Sequence, residues 1–378
     1  MKKIQTYKKH IENLSTTYKI KMVTLSPIYI GTSIPIEPFS FVIKEKNGEY
    51  IIYHIDTNKF LLSITDEESA FINNKMKASN GMKLIQFIRK YIFDNFDEEK
   101  FKDSIKLKYN VSPEIYNDYY ESINAEKFHR IELYTFPKDG NFNGFIPGSV
   151  IKGMLKNRII EATGKNDFYY GIKKSFKEDP FKMLSISDAY ADSNINYSIG
   201  YIKNFKIKKL ELENKKVNHM VEVIDAGVEF EIEVTVKRNF ASNQMYKQSF
   251  YEELFLDRKK VIKLLNKTFN PAYKIDFKNM KIKGGNKFNP FILKSKSSLK
   301  NIAPTWPALI WARLTKKYAF ANIGRYGGEI SKGSIESIKN VKEKRYFTYE
   351  EKFKDKNNKE KIMYNGEEVL PLGWILFY

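Results

Sequence analysis

The chain has 378 residues, of which 42% are hydrophobic and 15% aromatic, a composition that excludes a disordered protein. It contains no cysteine, which excludes disulfide bonds, thiolate zinc sites and cysteine nucleophiles. The formal net charge of +20 favours a polyanion such as nucleic acid as a partner. Because nearly all of this charge is lysine, which a biased codon composition also raises, the charge alone does not establish a ligand.

Neither end of the sequence predicts a membrane protein. Residues 1–14 are charged along their length, unlike a signal peptide, and no apolar run approaches the roughly 20 residues that span a bilayer. The most apolar segment, VLPLGWILFY at 369–378, predicts a buried closing strand. We therefore expect a cytoplasmic protein with no membrane partner.

The N-terminal region predicts strands. Apolar residues alternate with lysines at the start of Tyr18–Leu25, which is typical of a strand with one buried face. The segment SPIYIGT at 26–32 follows, and its proline and glycine end the strand and leave Tyr29 near the tip. Asn47 and Gly48 separate two apolar runs, which predicts a β-hairpin.

The segment from about residue 57 to residue 142 predicts a helical insertion. Its apolar residues recur at helical spacing in one stripe, formed by Leu84, Ile85, Ile88, Tyr91 and Ile92. Strands and helices then alternate along the rest of the chain. The predicted strands are Phe181–Asp188, Tyr201–Ile207 and Val228–Val236, and the predicted helices are Phe250–Leu265 and one that begins near Thr305.

The order strand, helix, strand, strand, helix, strand is that of a ferredoxin-like or RRM-like unit. We therefore predict an α+β protein with two such units. The first unit covers residues 1–240 and contains the helical insertion at about 57–142. The second, smaller unit covers residues 241–378.

A sharp turn leads into a helix in the segment Asn143–Arg158, which reads NGFIPGSVIKGMLKNR. Ser149 lies where the helix N-cap is expected, so the first helical amides and the positive end of the helix dipole are predicted to face solvent. Lys152, Lys156 and Arg158 add positive charge nearby. Such a helix start can bind a phosphate, although an ordinary capped surface helix has the same pattern.

This turn and helix closely resemble the IPGSSIKGALR segment of RAMP-superfamily CRISPR proteins, with Val150 at a position that is usually serine in that family. The SPIYIGT segment at 26–32 resembles their strand-end motif, and residues 179–188 resemble the strand that follows the helix. The KIKGGNKF segment at 281–288 resembles their C-terminal glycine-rich loop. The order, spacing and length of these segments most resemble the family of fifth subunits of Csm complexes.

The resemblance implies a non-catalytic subunit of the type III-A Csm effector complex, which acts in antiviral defence. Such a subunit caps the filament near the 3′ end of the guide RNA and supports guide maturation and target-RNA binding. The implied partners are guide RNA, target RNA and other Csm subunits, chiefly the repeating backbone subunit and the small helical subunit. Recruitment of a host maturation nuclease stays open.

The resemblance and the charge pattern together predict the residues that contact RNA. Tyr29, Phe145 and Tyr326 are aromatic residues that could stack on splayed bases. The full predicted RNA-binding set is Tyr29, Gly31, Gly148, Ser149, Lys152, Arg158, Lys283, Gly284, Gly285, Lys287, Arg325 and Tyr326.

No catalytic, metal or cofactor site is predicted. The four histidines (His10, His54, His129 and His219) show no helical metal-binding spacing. His54 lies in an apolar strand and Asp56 follows it, so we expect a structural histidine and a turn or N-cap carboxylate. Two alternatives stay open. One is a metal-independent endoribonuclease that processes guide RNA with His129 as acid or base, and the other is a basic scaffold that contacts only proteins.

Overall fold

The computed structural model describes residues 15–32, 35–78, 81–125, 131–163, 180–191, 195, 197–206, 211–212, 219–225, 227–237, 254–267, 269, 319–324, 343–348, 350–354, 360–364 and 373–377. Several predictions fall on residues outside these ranges. They are the helix near Thr305, the histidines His10 and His129, and the predicted RNA-binding residues Lys283, Gly284, Gly285, Lys287, Arg325 and Tyr326.

The described elements confirm the predicted α+β class. The helices are α1 (Thr57–Leu62), α2 (Asp66–Ala78), α3 (Gly81–Asn95), α4 (Pro113–Asn124) and α5 (Gly148–Thr163), and residues 258–267 are also helical. The strands are β1 (Ser15–Thr24), β2 (Phe41–Lys46), β3 (Glu49–Ile55), β4 (Ile105–Val111), β5 (Leu133–Tyr134), β6 (Phe145–Ile146), β7 (Leu184–Ile186), β8 (Ala189–Ala191), β9 (Tyr197–Lys206), β10 (Glu211–Leu212), β11 (His219–Ile224), β12 (Glu229–Lys237), β13 (Ala319–Asn322), β14 (Glu343–Thr348), β15 (Glu350–Lys354), β16 (Glu360–Tyr364) and β17 (Trp374–Phe377). None of these helices is long and apolar enough to cross a membrane.

The largest sheet is antiparallel, with the strand order β13-β17-β1-β12-β8-β6, and β7 also pairs with β12. β12 alternates between a buried face and a more exposed face, as buried Phe230 and exposed Glu233 show, whereas all four residues of β17 are buried. The buried face packs against α5 and the helical residues 258–267 to form the main core. The alternation seen in the sequence therefore located both β1 and β12.

The first and last described strands lie side by side. β17 pairs with β1, and β13 pairs with β17. The SPIYIGT segment reinforces this junction, because the Gly373 N–H donates to the Pro27 carbonyl at 2.8 Å and the Trp374 N–H donates to the Ser26 hydroxyl at 2.9 Å. The predicted closing strand is confirmed. This sheet crosses the predicted domain boundary near residue 240.

Two smaller sheets are built from other parts of the chain. β2, β3 and β4 form a three-stranded sheet, and Asn47 and Gly48 connect β2 to β3 with φ values of 55° and 82°, which confirms the predicted hairpin. β9 pairs with β10, β11 and β14 in another sheet, in which β5 runs parallel to β11. Helices α1–α4 lie within the predicted insertion at 57–142, but β4 and β5 lie there too, so the segment is not helical throughout.

Candidate nucleic-acid interface

Helix α5 begins at Gly148, so the prediction of Ser149 as the N-cap is wrong. The Pro147 carbonyl accepts hydrogen bonds from the amides of Val150 at 2.9 Å and Ile151 at 3.5 Å, which places Ser149 inside the first turn. The Gly148 amide donates to Asp188 Oδ1 at 2.8 Å. The Asp188 carboxylate therefore already accepts the hydrogen bond of the first helical amide, at the position where the sequence predicted a phosphate.

Gly148 is needed for packing. The residue is buried, and a Cβ added to it would overlap the Ile186 carbonyl oxygen and lie 2.6 Å from that of Ser187. Only glycine allows the β7–β8 connection to pass this close to the helix start. The glycine in the RAMP-like segment thus positions the helix against the sheet, and its burial does not fit the predicted contact with RNA.

The outward side of α5 carries the two exposed side chains of the described part of the helix. Ser149 and Asn157 are exposed, Lys152 and Lys156 are half-buried, and these four residues recur at helical spacing. Gly153 lies among them, and a Cβ added there would meet nothing within 4 Å. We call these five residues the outer face of α5. Lys156 Nζ lies 5.7 Å from the centre of the Phe181 ring. Two lysines and a serine on one side of a helix suit contacts with phosphate oxygens.

Arg158 does not belong to the outer face. Its side chain is 1% exposed, it donates to Glu161 Oε2 at 2.6 Å, and its guanidinium lies 4.6 Å from the centre of the Phe269 ring. Burial lowers the pKa of Arg158, while the nearby Glu161 carboxylate opposes that shift. The prediction of Arg158 as an RNA-binding residue is therefore corrected to a buried ion pair in the core.

Tyr29 and Gly31 form a structural turn. Tyr29 is fully buried and packs against Ile202, Val221 and Val223, so its ring cannot stack on a base at the surface. Gly31 has a φ of +70°, and a Cβ there would overlap the Tyr29 hydroxyl. The glycine makes room for the tyrosine ring, which explains their spacing without a ligand.

The structure also shows two exposed aromatic residues that the sequence analysis missed. Tyr190 in β8 is 48% exposed and stacks on Phe145 in β6, with 5.6 Å between the ring centres and 26° between the ring planes. Phe142, at the tip of the loop before β6, is 42% exposed. β8 is only three residues long, too short for periodicity to reveal which way Tyr190 faces.

Structural roles account for three described titratable groups outside α5. Burial lowers the pKa of His54 to about 4, helped by the positive charges of Lys106 and Lys138, so the imidazole is neutral at pH 7. Asp56 caps α1 by accepting from two backbone amides, which confirms the N-cap interpretation. Lys138 forms a buried ion pair with Glu222. Within the described ranges, no three His, Asp or Glu side chains converge as metal ligands.

Comparison with known proteins identifies the family. A model of the RAMP superfamily matches residues 21–336, so the chain belongs to the RAMP superfamily. A chain of a Csm–crRNA–target RNA ternary complex from a type III-A CRISPR-Cas system is similar in fold, with a TM-score of 0.55 and 13% identity over 96% of this chain and 100% of that chain. T. onnurineus Csm5 is 13% identical over 94% of this chain and 99% of that chain, with a TM-score of 0.48. A search of curated proteins found no match.

Proposed function

We propose that this chain is a guide-RNA-binding subunit of a type III-A Csm effector complex that caps the filament near the 3′ end of the guide RNA. In this role it supports guide maturation and target-RNA binding and performs no catalysis itself. The observation that carries the proposal is the outer face of α5, in which exposed Ser149 lies on the same side as the half-buried Lys152 and Lys156 in a chain of the RAMP superfamily. The net charge of +20 supports a polyanionic ligand.

The outer face determines how the chain is expected to hold RNA. Lysines neutralise phosphates without reading bases, so binding is expected to be independent of RNA sequence and to weaken as salt is added. The Asp188 carboxylate at the helix start disfavours a phosphate at the Gly148 amide, because like charges repel. The RNA backbone is therefore expected to run along the lysine side of α5 rather than across its N-terminal end.

Fluorescence anisotropy of the full chain with labelled single-stranded RNA tests this proposal. The double variant Lys152→Glu, Lys156→Glu is expected to bind roughly tenfold more weakly and to lower the salt slope by about 1.4, since each lost phosphate contact contributes about 0.7. Lys75→Glu, Lys77→Glu on α2 makes the same change in charge at two exposed lysines and serves as the control. Equal losses in the two double variants would contradict the assignment of the outer face.

Assembly needs a separate experiment. The tagged chain is expected to co-purify with guide RNA, the repeating backbone subunit and the small helical subunit, and crosslinks to the chain are expected near the guide 3′ end. A particle that contains the other subunits and lacks crosslinks between this chain and RNA would favour the scaffold alternative. A maturation nuclease in the same preparation would identify a further partner.

The absence of catalysis is tested with purified chain and repeat RNA. Specific cleavage that is lost in His129→Ala would replace our proposal with an endoribonuclease. Cytoplasmic location and the division into two ferredoxin-like units, with the insertion in the first, also stay predictions. Limited proteolysis followed by mass spectrometry tests the boundary near residue 240.

A further inference from the structure

The loop that leads into β6 is a rigid projection. Asp139 Oδ1 accepts hydrogen bonds from the amides of Asn141 at 2.9 Å and Asn143 at 2.8 Å, and the Asp139 amide donates to the Asn143 carbonyl at 2.9 Å. Lys138 and Gly144 pair across the base of the loop. Because Lys138 is also anchored to buried Glu222, the loop is fixed to the body of the protein at its root.

Phe142 occupies the tip of this loop in an unfavourable backbone conformation. Its φ is 64°, in the left-handed region that a bulky residue enters only at an energetic cost. Its side chain is 42% exposed, so core packing does not offset that cost. An exposed aromatic side chain held in a strained conformation points to a function at this tip.

Phe145 and Tyr190 form a second aromatic surface, at the edge of the largest sheet. The two residues are direct neighbours on adjacent strands, and β6 is the edge strand. Ile146 follows Phe145 in β6, and Ala189 precedes Tyr190 in β8; both are fully buried. Because successive side chains of a strand point to opposite faces, the rings of Phe145 and Tyr190 lie on the outward side of the sheet. We call Phe142, Phe145 and Tyr190 the aromatic edge.

The carboxylates around the aromatic edge are bound by donors of the chain itself. Glu231, which pairs with Tyr190 across the strands, accepts from Lys19 at 3.1 Å. Asp139 accepts backbone amides of the loop, and Asp188 accepts the Gly148 amide. These carboxylates disfavour phosphates at the aromatic edge. A ligand is therefore expected to contact the faces of the aromatic rings.

We propose that the aromatic edge stacks unpaired bases of single-stranded RNA that passes around the β6 edge from the outer face of α5, which lies on the other side of the sheet. This inference rests on the proposed function. Ser149 follows Phe142 by seven positions, so the two residues are at most about 25 Å apart, a distance that a few nucleotides can span. Aromatic faces accept every base, so this contact adds affinity without sequence specificity.

The test uses the full chain and RNA carrying 2-aminopurine, whose fluorescence is quenched by stacking. Phe142→Ala and Tyr190→Ala are each expected to weaken RNA binding roughly 5- to 150-fold and to reduce the quenching at one nucleotide position. The salt slope is expected to stay unchanged, because no phosphate contact is lost. Tyr190→Phe is expected to retain binding, and Leu62→Ala, at an 86% exposed apolar residue of α1, is the control.

Phe142→Gly separates binding from folding. Glycine adopts the φ of 64° without cost, so this variant is expected to melt at the same temperature or higher while it binds RNA as weakly as Phe142→Ala. If the wild type binds no RNA, the proposed function fails. If it binds RNA and the aromatic variants bind equally well, only the aromatic edge is refuted. Variants that bind RNA normally and fail to enter the Csm particle would make the edge a protein interface and overturn the inference.

Discussion

The two sides of α5 use the same residue types for opposite purposes. Gly148 on the inner side lies against the backbone of the β7–β8 connection, whereas Gly153 on the outer side faces open space. Arg158 is buried beside Glu161, whereas Lys152 is only half-buried. A RAMP-like segment rich in glycine and cations therefore contains a packing side and a binding side, and burial distinguishes them.

The largest effect is expected at Gly148. Gly148→Ala should lower the free energy of unfolding by about 3 kcal/mol or more, because the new methyl overlaps backbone oxygens that cannot move independently. Gly153→Ala is the matched control and should raise stability by up to about 1 kcal/mol through helix propensity. Denaturant unfolding measures both. Equal stability of the two variants would refute the close approach of β7–β8 to the helix.

Arg158→Ala tests the contrast between Arg158 and Lys152. Removing the guanidinium leaves the Glu161 carboxylate, 17% exposed, without this partner, so stability should fall by about 3 kcal/mol. The RNA affinity of the folded variant should stay unchanged, whereas Lys152→Ala should weaken RNA binding and leave stability nearly unchanged. Denaturant unfolding and anisotropy on the same samples measure the two effects. A stable Arg158→Ala variant with weak RNA binding would restore the original prediction for this residue.

A smaller effect is expected at Asp225, a half-buried residue that directly follows β11. Burial raises the pKa of Asp225 to about 6, against a weaker opposing hydrogen bond from Ser198. The folded state therefore binds this proton more tightly than the unfolded state, and stability should rise as pH falls from about 6 to about 4. Asp225→Asn should raise the free energy of unfolding at pH 7 by about 2 kcal/mol and remove this dependence of stability on pH.

Unfolding curves measured at several pH values, with RNA affinity measured in parallel, check this prediction. The lysines of the outer face keep their charge over this range, so the affinity of the Asp225→Asn variant should match that of the wild type at every pH. A wild-type stability curve that is flat between pH 4 and 6, with the Asp225→Asn curve parallel to it, would contradict the prediction.

Local periodicity predicted much of the fold, and long-range contacts account for the errors. Alternation located β1 and β12, and Asn47 with Gly48 located a hairpin, because each signal lies within a few adjacent residues. The start of α5 was misplaced because its cap, Asp188, comes from 40 residues further along the chain. The pairing of β17 with β1 involves a still longer separation, and periodicity does not determine which strands pair.

The candidate site was predicted less well than the fold. Arg158 follows Ile151 by seven positions, which places it on the apolar stripe of α5, so helical spacing already indicated its burial. Tyr29 looked exposed because it follows a strand end, and only the packing of Val221 and Val223 around it shows otherwise. Phe142 could not be found, because its importance lies in a backbone angle that the sequence does not encode locally.

The adjacency of β1 and β17 has a consequence for synthesis of the protein. While the ribosome is still making the middle of the chain, β1 lacks one of its two neighbours in the sheet. That edge stays open to wrong partners until residues 374–377 have been translated. The newly made protein therefore depends on its last strand to close the sheet begun by its first.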